Sequence, residues 1–183
     1  MREFNTTAVC IPSKHYMVDL TERVREIKKL VDAGKYFTIN RARQYGKTTT
    51  IEALSKILNK EYFVVSLDFQ DISNAVFESE VSFVKGMARI ICDSKDFMDV
   101  PVPDDYYVQF RELSEREDNA GKLDELFRVF LSWCKESPQK LVLIIDEVDS
   151  ATNNQVFLDF LAQLTIIPHK FSTYTSMVVS GIL

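Results

Sequence analysis

Two short stretches of the sequence carry residue types suited to phosphate chemistry: Arg41-Ala42-Arg43-Gln44-Tyr45-Gly46-Lys47-Thr48, and Asp146-Glu147. A polyphosphate is held by successive backbone N–H groups turned toward it. It also needs a glycine where a side chain would block close approach, a lysine for the outer phosphates and a hydroxyl to ligate magnesium. A helix that starts at the same point adds its partial positive charge. Gly46, Lys47 and Thr48 supply the side-chain part of that set. The general spacing is GxxxxGK[ST], and here Arg41 stands at the first glycine. That position eases the turn out of a strand, whereas Gly46 makes the close approach, so the replacement alters the pattern more than the chemistry. A bare GKT also serves as an ordinary exposed helix start, and the rest of the chain must decide between the two.

The second stretch, LVLIIDEVDS, places Asp146 at the end of an apolar run, where a carboxylate holds magnesium through water. Glu147 follows it, where a second carboxylate polarises an attacking water. Its plain alternative is a strand meeting a polar turn. Each signal alone is soft, but both fall at strand ends, in this order, with a sheet-forming segment between them. The combination points to a P-loop nucleotidase: Lys47 and Glu147 catalytic, Thr48 and Asp146 on Mg2+, and ATP contacted by Arg43, Gln44, Tyr45, Gly46, Lys47, Thr48 and Thr49. For Arg43 a solvent-facing or structural role is the simpler reading.

The elements that must position these residues follow from hydrophobic periodicity. Residues 19–33 read as a helix with Val24, Ile27, Leu30 and Val31 on one face, an Asp19/Glu22 capping pair and Gly34 as its stop. Tyr36 to Asn40 is a short strand, and Thr48 to Asn59 a helix with Ile51, Leu54, Ile57 and Leu58 at helical spacing. Residues 62–68 form a strand too continuously apolar to have a solvent face, as in a parallel sheet covered on both sides. A helix is expected from about Ser79 to Cys92. Residues 93–119, broken by Pro101 and Pro103, read as mixed, with Tyr106, Tyr107 and Phe110 folding back onto the body. Leu123, Leu126, Phe127, Phe130, Leu131 and Cys134 mark the clearest amphipathic helix. A buried strand over 140–145, a helix from about Asn153 to Leu164 and a strand over 176–179 complete the pattern. Strands alternating with helices predict an α/β fold, a three-layer, mostly parallel sheet with helices on both faces.

The length of 183 residues suits one domain, and no repeat or linker-like tract divides it. Cys10, Cys92 and Cys134 are far apart and lack CxxC or nearby His spacing, which suggests ordinary thiols, two of them buried on helices. Neither a signal-peptide core nor a run approaching the roughly 20 apolar residues of a membrane span is present, so a cytoplasmic protein without membrane contact is expected. The net charge of −5 argues against a protein that coats nucleic acid. The early basic residues are a solvated helix face, apart from Arg41, Arg43 and Lys47 at the phosphate loop.

HYMVDLTERVREIKKLVDAGKYFTINRARQYGKTTTIEAL followed by LVLIIDEVDS resembles the predicted AAA-ATPase-like family of bacteria and archaea. In that branch of the P-loop ATPases the phosphate loop reads like RPRRFGKS or RPRQYGKT, with arginine at the first-glycine position. RARQYGKT departs from it only at Ala42, where the family has proline. The resemblance spans essentially the whole chain, as a segment 1–18 and a core 19–183, and implies the same site residues. It further suggests Ser180 as a polar sensor of the outer phosphate, although a buried strand serine is as good a reading. Family members continue past this point into a further strand beside the phosphate-loop strand and a helical lid, and many carry a nuclease-like region. A chain ending at Leu183 therefore reads as a truncated member or gene fragment, C-terminally incomplete.

Three functions follow as expectations: a Mg2+-dependent ATPase, a nucleotide-binding module that turns over slowly or not at all, and the ATPase part of a nucleic-acid-processing factor. Partners would be ATP, with a homo-oligomer or protein partner in prospect; nucleic acid is not indicated by charge. His15 and Tyr16, ahead of the first helix, are candidates to contact an adenine, although a packed or exposed pair is simpler. Asp68, ending the second strand, either lines the site or is a turn carboxylate, and Trp133 is most simply a packing residue.

Overall fold

The computed structural model describes residues 19–40, 46–69, 72–98, 100, 102–118, 120–148, 151, 154–170 and 174–181. Its helices are α1 (Thr21–Asp32), α2 (Lys47–Leu58), α3 (Glu80–Met98), α4 (Asp104–Glu115), α5 (Leu123–Glu136) and α6 (Gln155–Lys170). The strands are β1 (Tyr36–Asn40), β2 (Phe63–Asp68), β3 (Leu141–Asp146) and β4 (Tyr174–Gly181). They form one parallel four-stranded sheet in the order β1-β4-β3-β2.

The sheet is sandwiched, and the alternation along its strands shows how. On one face Val64, Val142 and Ile144 pack with Val24 and Val31 of α1 and Ile51, Leu54 and Leu58 of α2. On the other, Val65, Leu67, Leu141, Leu143 and Ile145 join the larger core of α3 to α6. Both faces are covered, so all six residues of β3 are buried, and a half-polar strand would be unstable there. The larger core is strongly aromatic. Phe83 and Phe160 meet edge to face at 5.3 Å between ring centroids, and Phe110 and Phe130 at 5.2 Å. Burying each such ring contributes roughly 1.5–3 kcal/mol.

The predicted α/β layering is present, with several local differences. Residues 93–119 are largely helical: α3 runs on to Met98, and α4 starts directly after Pro103. Pro103 donates no N–H and sits before the first turn, where none is needed, so it begins a helix here instead of only breaking one. Tyr106 and Phe110 are buried as expected, and Tyr107 is half-buried. In α1 the Asp19 carboxylate accepts from the Thr21 N–H at 2.9 Å, while Glu22 pairs with Arg25 instead of closing a capping box. Leu30 and Ile57, expected on the apolar faces of their helices, are 42% and 38% exposed. They lie at the margins of the stripes that Val24, Val31, Leu54 and Leu58 bury. Helix α6 and β4 are both longer than their patterns suggested. Cys92 and Cys134 are buried free thiols on α3 and α5; burial pushes Cys134 up to about 12. Trp133 packs as expected, 1% exposed among Phe63, Tyr106, Phe110 and Phe130.

Candidate functional site

Parallel pairing brings the carboxyl ends of all four strands to one edge of the sheet, where ligands of open α/β sheets bind. There Asn40 is in register with Gly181, Ile39 with Ser180, and Asp68 with Asp146. The sequence places the chemistry-bearing residues immediately after those ends. Gly46 is the N-cap of α2 and adopts the left-handed conformation, with φ 72°. Beyond its chain neighbours, a Cβ there would meet no atom of the described residues within 4 Å, and the left-handed backbone is itself the reason for glycine. The turn is tied down from inside the helix: Thr50 donates from both its N–H (3.0 Å) and its hydroxyl (2.8 Å) to the Gly46 carbonyl.

Lys47 opens α2, and its side chain is 5% exposed. Its Nζ is buried and has no hydrogen-bond partner among the described residues, and a carboxylate, Glu147 Oε1, lies 4.0 Å away. An ammonium group carries three donors, and leaving them unmet inside a protein is costly, so such an arrangement calls for an anion between or beside the two. The start of α2 adds unsatisfied backbone N–H groups and its partial positive charge at the same place. Thr48 is exposed in the first turn, and Thr49 half-buried behind it.

Asp146 is 6% exposed at the end of β3, and one of its oxygens accepts the Glu147 N–H at 2.9 Å. The Asp146 carbonyl accepts from Phe69 N–H at 3.0 Å, which locks the end of β3 to β2. Glu147 leaves the strand with φ 55°, a left-handed conformation that a non-glycine residue adopts at a cost of roughly 1–2 kcal/mol. Its carboxylate lies 4.0 Å from Lys47 Nζ, with 30% of the side chain exposed. Among the described residues no group of three or more His, Cys, Asp and Glu is placed to hold a metal unaided. A magnesium ion here would take phosphate oxygens and water beside Asp146 and Thr48, which is how that ion is ordinarily bound alongside nucleotides.

The structure thus brings Gly46, Lys47, Asp146 and Glu147 together, with Thr48 and Thr49 on the same helix turn. Asp68 lies exposed at the neighbouring strand end. Arg43, Gln44 and Tyr45 of the loop, with Arg41, His15 and Tyr16, lie outside the described residues, as does the side chain of Ser180. Two anchoring residues escape sequence reasoning. Thr50 is hidden in a run of three threonines. Asn154 caps α6 by accepting from Val156 N–H at 3.0 Å and donates to the Phe77 carbonyl at 2.8 Å. An asparagine before an apolar run is a usable cap signal, but the carbonyl 77 positions away is not legible in sequence.

By sequence the chain matches no family model and no curated protein. By structure it is similar to a Walker-type ATPase of Pyrococcus abyssi, with a TM-score of 0.56 and 13% identity over 97% of this chain and 48% of that one. It is similar to Cdc6p of Pyrobaculum aerophilum, with a TM-score of 0.53 and 13% identity over 90% of this chain and 39% of the other. A third likeness is to the structure of Drosophila ORC bound to GC-rich DNA and Cdc6, with a TM-score of 0.50 and 13% identity over 88% and 24% of the two chains. The chain spans less than half the length of each. At this identity the likeness is one of fold, and the fold is that of the Walker-type, P-loop ATPases. Among the described residues, no helix is long and apolar enough to cross a membrane.

Proposed function

We propose that the protein is a P-loop ATPase of the AAA-ATPase-like family, its residues 1–183 forming a nucleotide-binding domain that takes ATP with Mg2+. The observation that carries this reading is the buried Lys47 Nζ, without a hydrogen-bond partner among the described residues, at a glycine-capped helix start and 4.0 Å from the Glu147 carboxylate. Lys47, the backbone of the loop and the first turn of α2 would hold the phosphates, and Arg43, Gln44, Tyr45 and Thr49 would complete the loop around the nucleotide. Thr48 and Asp146 would hold the metal, which when bound draws charge from the phosphate oxygens.

Glu147 would orient a water for in-line attack on the terminal phosphorus and take up its proton as the bond from that phosphorus to the bridging oxygen breaks and ADP leaves, while Lys47 and the α2 N-terminus neutralise the charge that develops on the phosphate oxygens. Holding of Asp146 by the Glu147 N–H keeps the metal-side carboxylate apart from the base, so the neighbouring acids take different tasks.

The test measures binding and turnover separately. Lys47→Ala is expected to abolish ATP binding. Glu147→Gln is expected to keep affinity within about threefold and to lower turnover by about 100-fold or more. Full activity in Glu147→Gln would remove the assigned base, and unchanged affinity in folded Lys47→Ala would remove the site. A second reading, nucleotide binding without turnover, draws on the same contact, since Glu147 lies against Lys47 instead of standing free. It requires wild-type protein that binds ATP and releases no phosphate. Protein or nucleic-acid partners of such an ATPase are a further proposal; the net charge of −5 favours protein. A cytoplasmic setting is proposed with it.

A further inference from the structure

Glu147 holds its left-handed backbone at φ 55°, which an L side chain disfavours. Such a conformation persists only where the surrounding structure over-determines it, and such outliers concentrate at functional sites. The hydrogen bonds on either side of Glu147 show what fixes it here. Before it, the Asp146 carbonyl accepts from Phe69 N–H at 3.0 Å, and an Asp146 carboxylate oxygen accepts from Glu147 N–H at 2.9 Å. After it, the Val148 carbonyl accepts from Ala151 N–H at 2.9 Å, and the Ala151 carbonyl from Asn154 N–H at 3.0 Å. Val148 and Ala151 are both fully buried.

Asn154 ends that ladder and ties it to a different element. Its Oδ1 accepts from Val156 N–H at 3.0 Å and from Phe157 N–H at 3.4 Å, which caps α6. Its Nδ2 donates to the Phe77 carbonyl at 2.8 Å, at the end of the 3-10 turn Asn74–Phe77 that follows β2. Phe69 and Phe77 both belong to the stretch after β2, and their rings close the circuit. Phe157 lies 5.7 Å from Phe69 and 6.5 Å from Phe77, and Phe69 lies 6.2 Å from Phe77, centroid to centroid. The stretch after β2 therefore grips the chain on both sides of Glu147, at the Asp146 carbonyl and at Asn154. A helix cap alone would use only Oδ1, so the amide donor is the part that capping leaves unexplained.

We infer that Asn154 is a positioning residue for Glu147: through the Phe77 carbonyl it clamps the backbone after β3 in the left-handed turn, and so fixes where the Glu147 carboxylate stands beside Lys47. The functional half of this inference rests on the ATPase reading; the clamp itself is a matter of backbone conformation and does not. A base held by a buried turn has a set distance to the water it orients. Displacement by about 1 Å can cost about 100-fold in rate, while the phosphates remain held by Lys47 and the start of α2.

Asn154→Ser keeps a capping oxygen but is too short to reach the Phe77 carbonyl. Asn154→Asp keeps the cap at full length and sets an oxygen against that carbonyl, and it takes the place of the serine variant if that one fails to fold. The clamp is read by urea denaturation of Glu147→Gly and Glu147→Ala, which both lack the carboxylate and differ chiefly in their tolerance of the left-handed backbone. With Asn154 present, Glu147→Gly should have an unfolding constant about threefold or more below that of Glu147→Ala; with Asn154→Ser that preference should vanish or reverse. The functional half is read with Glu147 in place: Asn154→Ser should keep Mg-ATP affinity and KM within about threefold and lower kcat about tenfold or more. An undiminished preference for glycine would overturn the clamp. A lost preference with unchanged kcat, or a KM that rises in step as kcat falls, would overturn the positioning role. Wild-type protein that binds Mg-ATP without releasing phosphate would remove the ATPase reading and the positioning role with it, while the glycine preference still decides the clamp.

Discussion

Replacing Lys47 with methionine separates what this side chain does for folding from what it does for binding, and the two effects are expected to have opposite signs. The side chain is 5% exposed, its ammonium has no hydrogen-bond partner among the described residues, and Glu147 Oε1 lies at 4.0 Å. Attraction at that distance is about 4 kcal/mol at an effective dielectric constant near 20. Solvent reaches Glu147, whose side chain is 30% exposed, and lowers that figure. Desolvation of a buried ammonium costs several kcal/mol even after relaxation, so the pair is close to balanced or net unfavourable without nucleotide. Methionine keeps the aliphatic packing, and the partly exposed Glu147 rehydrates once its partner is gone. Nucleotide-free stability should therefore be unchanged or rise by up to about 2 kcal/mol. With Mg-ATP at about 100 times its dissociation constant, the wild-type protein should gain about 2.7 kcal/mol and Lys47→Met nothing. Urea denaturation of both proteins, with and without Mg-ATP, reads all four values. A loss of more than about 2 kcal/mol in the nucleotide-free variant would refute the claim that Lys47 waits unsatisfied for an anion. A retained Mg-ATP increment would refute its role in binding.

Gly86→Ala places a Cβ within 2.5 Å of Val76 Cγ1, where the 3-10 turn Asn74–Phe77 crosses α3. Overpacking of a stiff β-branched side chain should outweigh the gain of about 1 kcal/mol in helix propensity, and thermal denaturation should show a net loss near 1 kcal/mol. Adding Val76→Ala should recover stability relative to the sum of the two single changes, and simple additivity would contradict the contact. Burial tends to raise the pKa of Asp32, but hydrogen bonds from Lys28 Nζ at 2.9 Å and Tyr62 Oη at 2.8 Å outweigh it and hold the carboxyl below its ordinary value. A depressed folded-state pKa gives stabilisation that is present above the unfolded carboxylate range and lost as pH falls through the folded value. Asp32→Asn should thus be less stable than wild type at neutral pH, by under about 1 kcal/mol for so exposed a pair, and the two should converge in acid. A gap that stays constant down to acid pH would contradict the pairing.

How much was legible in the sequence varies with the range of the interaction that decides it. Glycine before lysine and threonine marks the junction of loop and helix at Gly46, a local signal, whereas the sequence assigns that glycine to close approach of a phosphate and the structure adds its left-handed conformation. The unbroken apolar run of β3 forecasts a strand covered on both faces. Residues 93–119 misled because Pro101 and Pro103 weigh as breakers when read alone, whereas Pro103 at a helix start favours α4. Leu30 and Ile57 misled because periodicity gives the direction of a helix face but not how wide the neighbouring layer is.

The sequence by itself determined the strand–loop–helix order, the residue types at the strand ends and the arginine-bearing loop pattern, all of which depend on neighbours within a few positions. Tertiary structure alone decided the strand order β1-β4-β3-β2 and the approach of Glu147 to Lys47 across one hundred positions of chain. It also decided the meeting of Asn154 with the carbonyl of Phe77. The physical reason is that parallel pairing and helix packing join segments whose separation in sequence carries no record of their contact, and whether a lysine is buried without a partner depends on what the rest of the chain places around it.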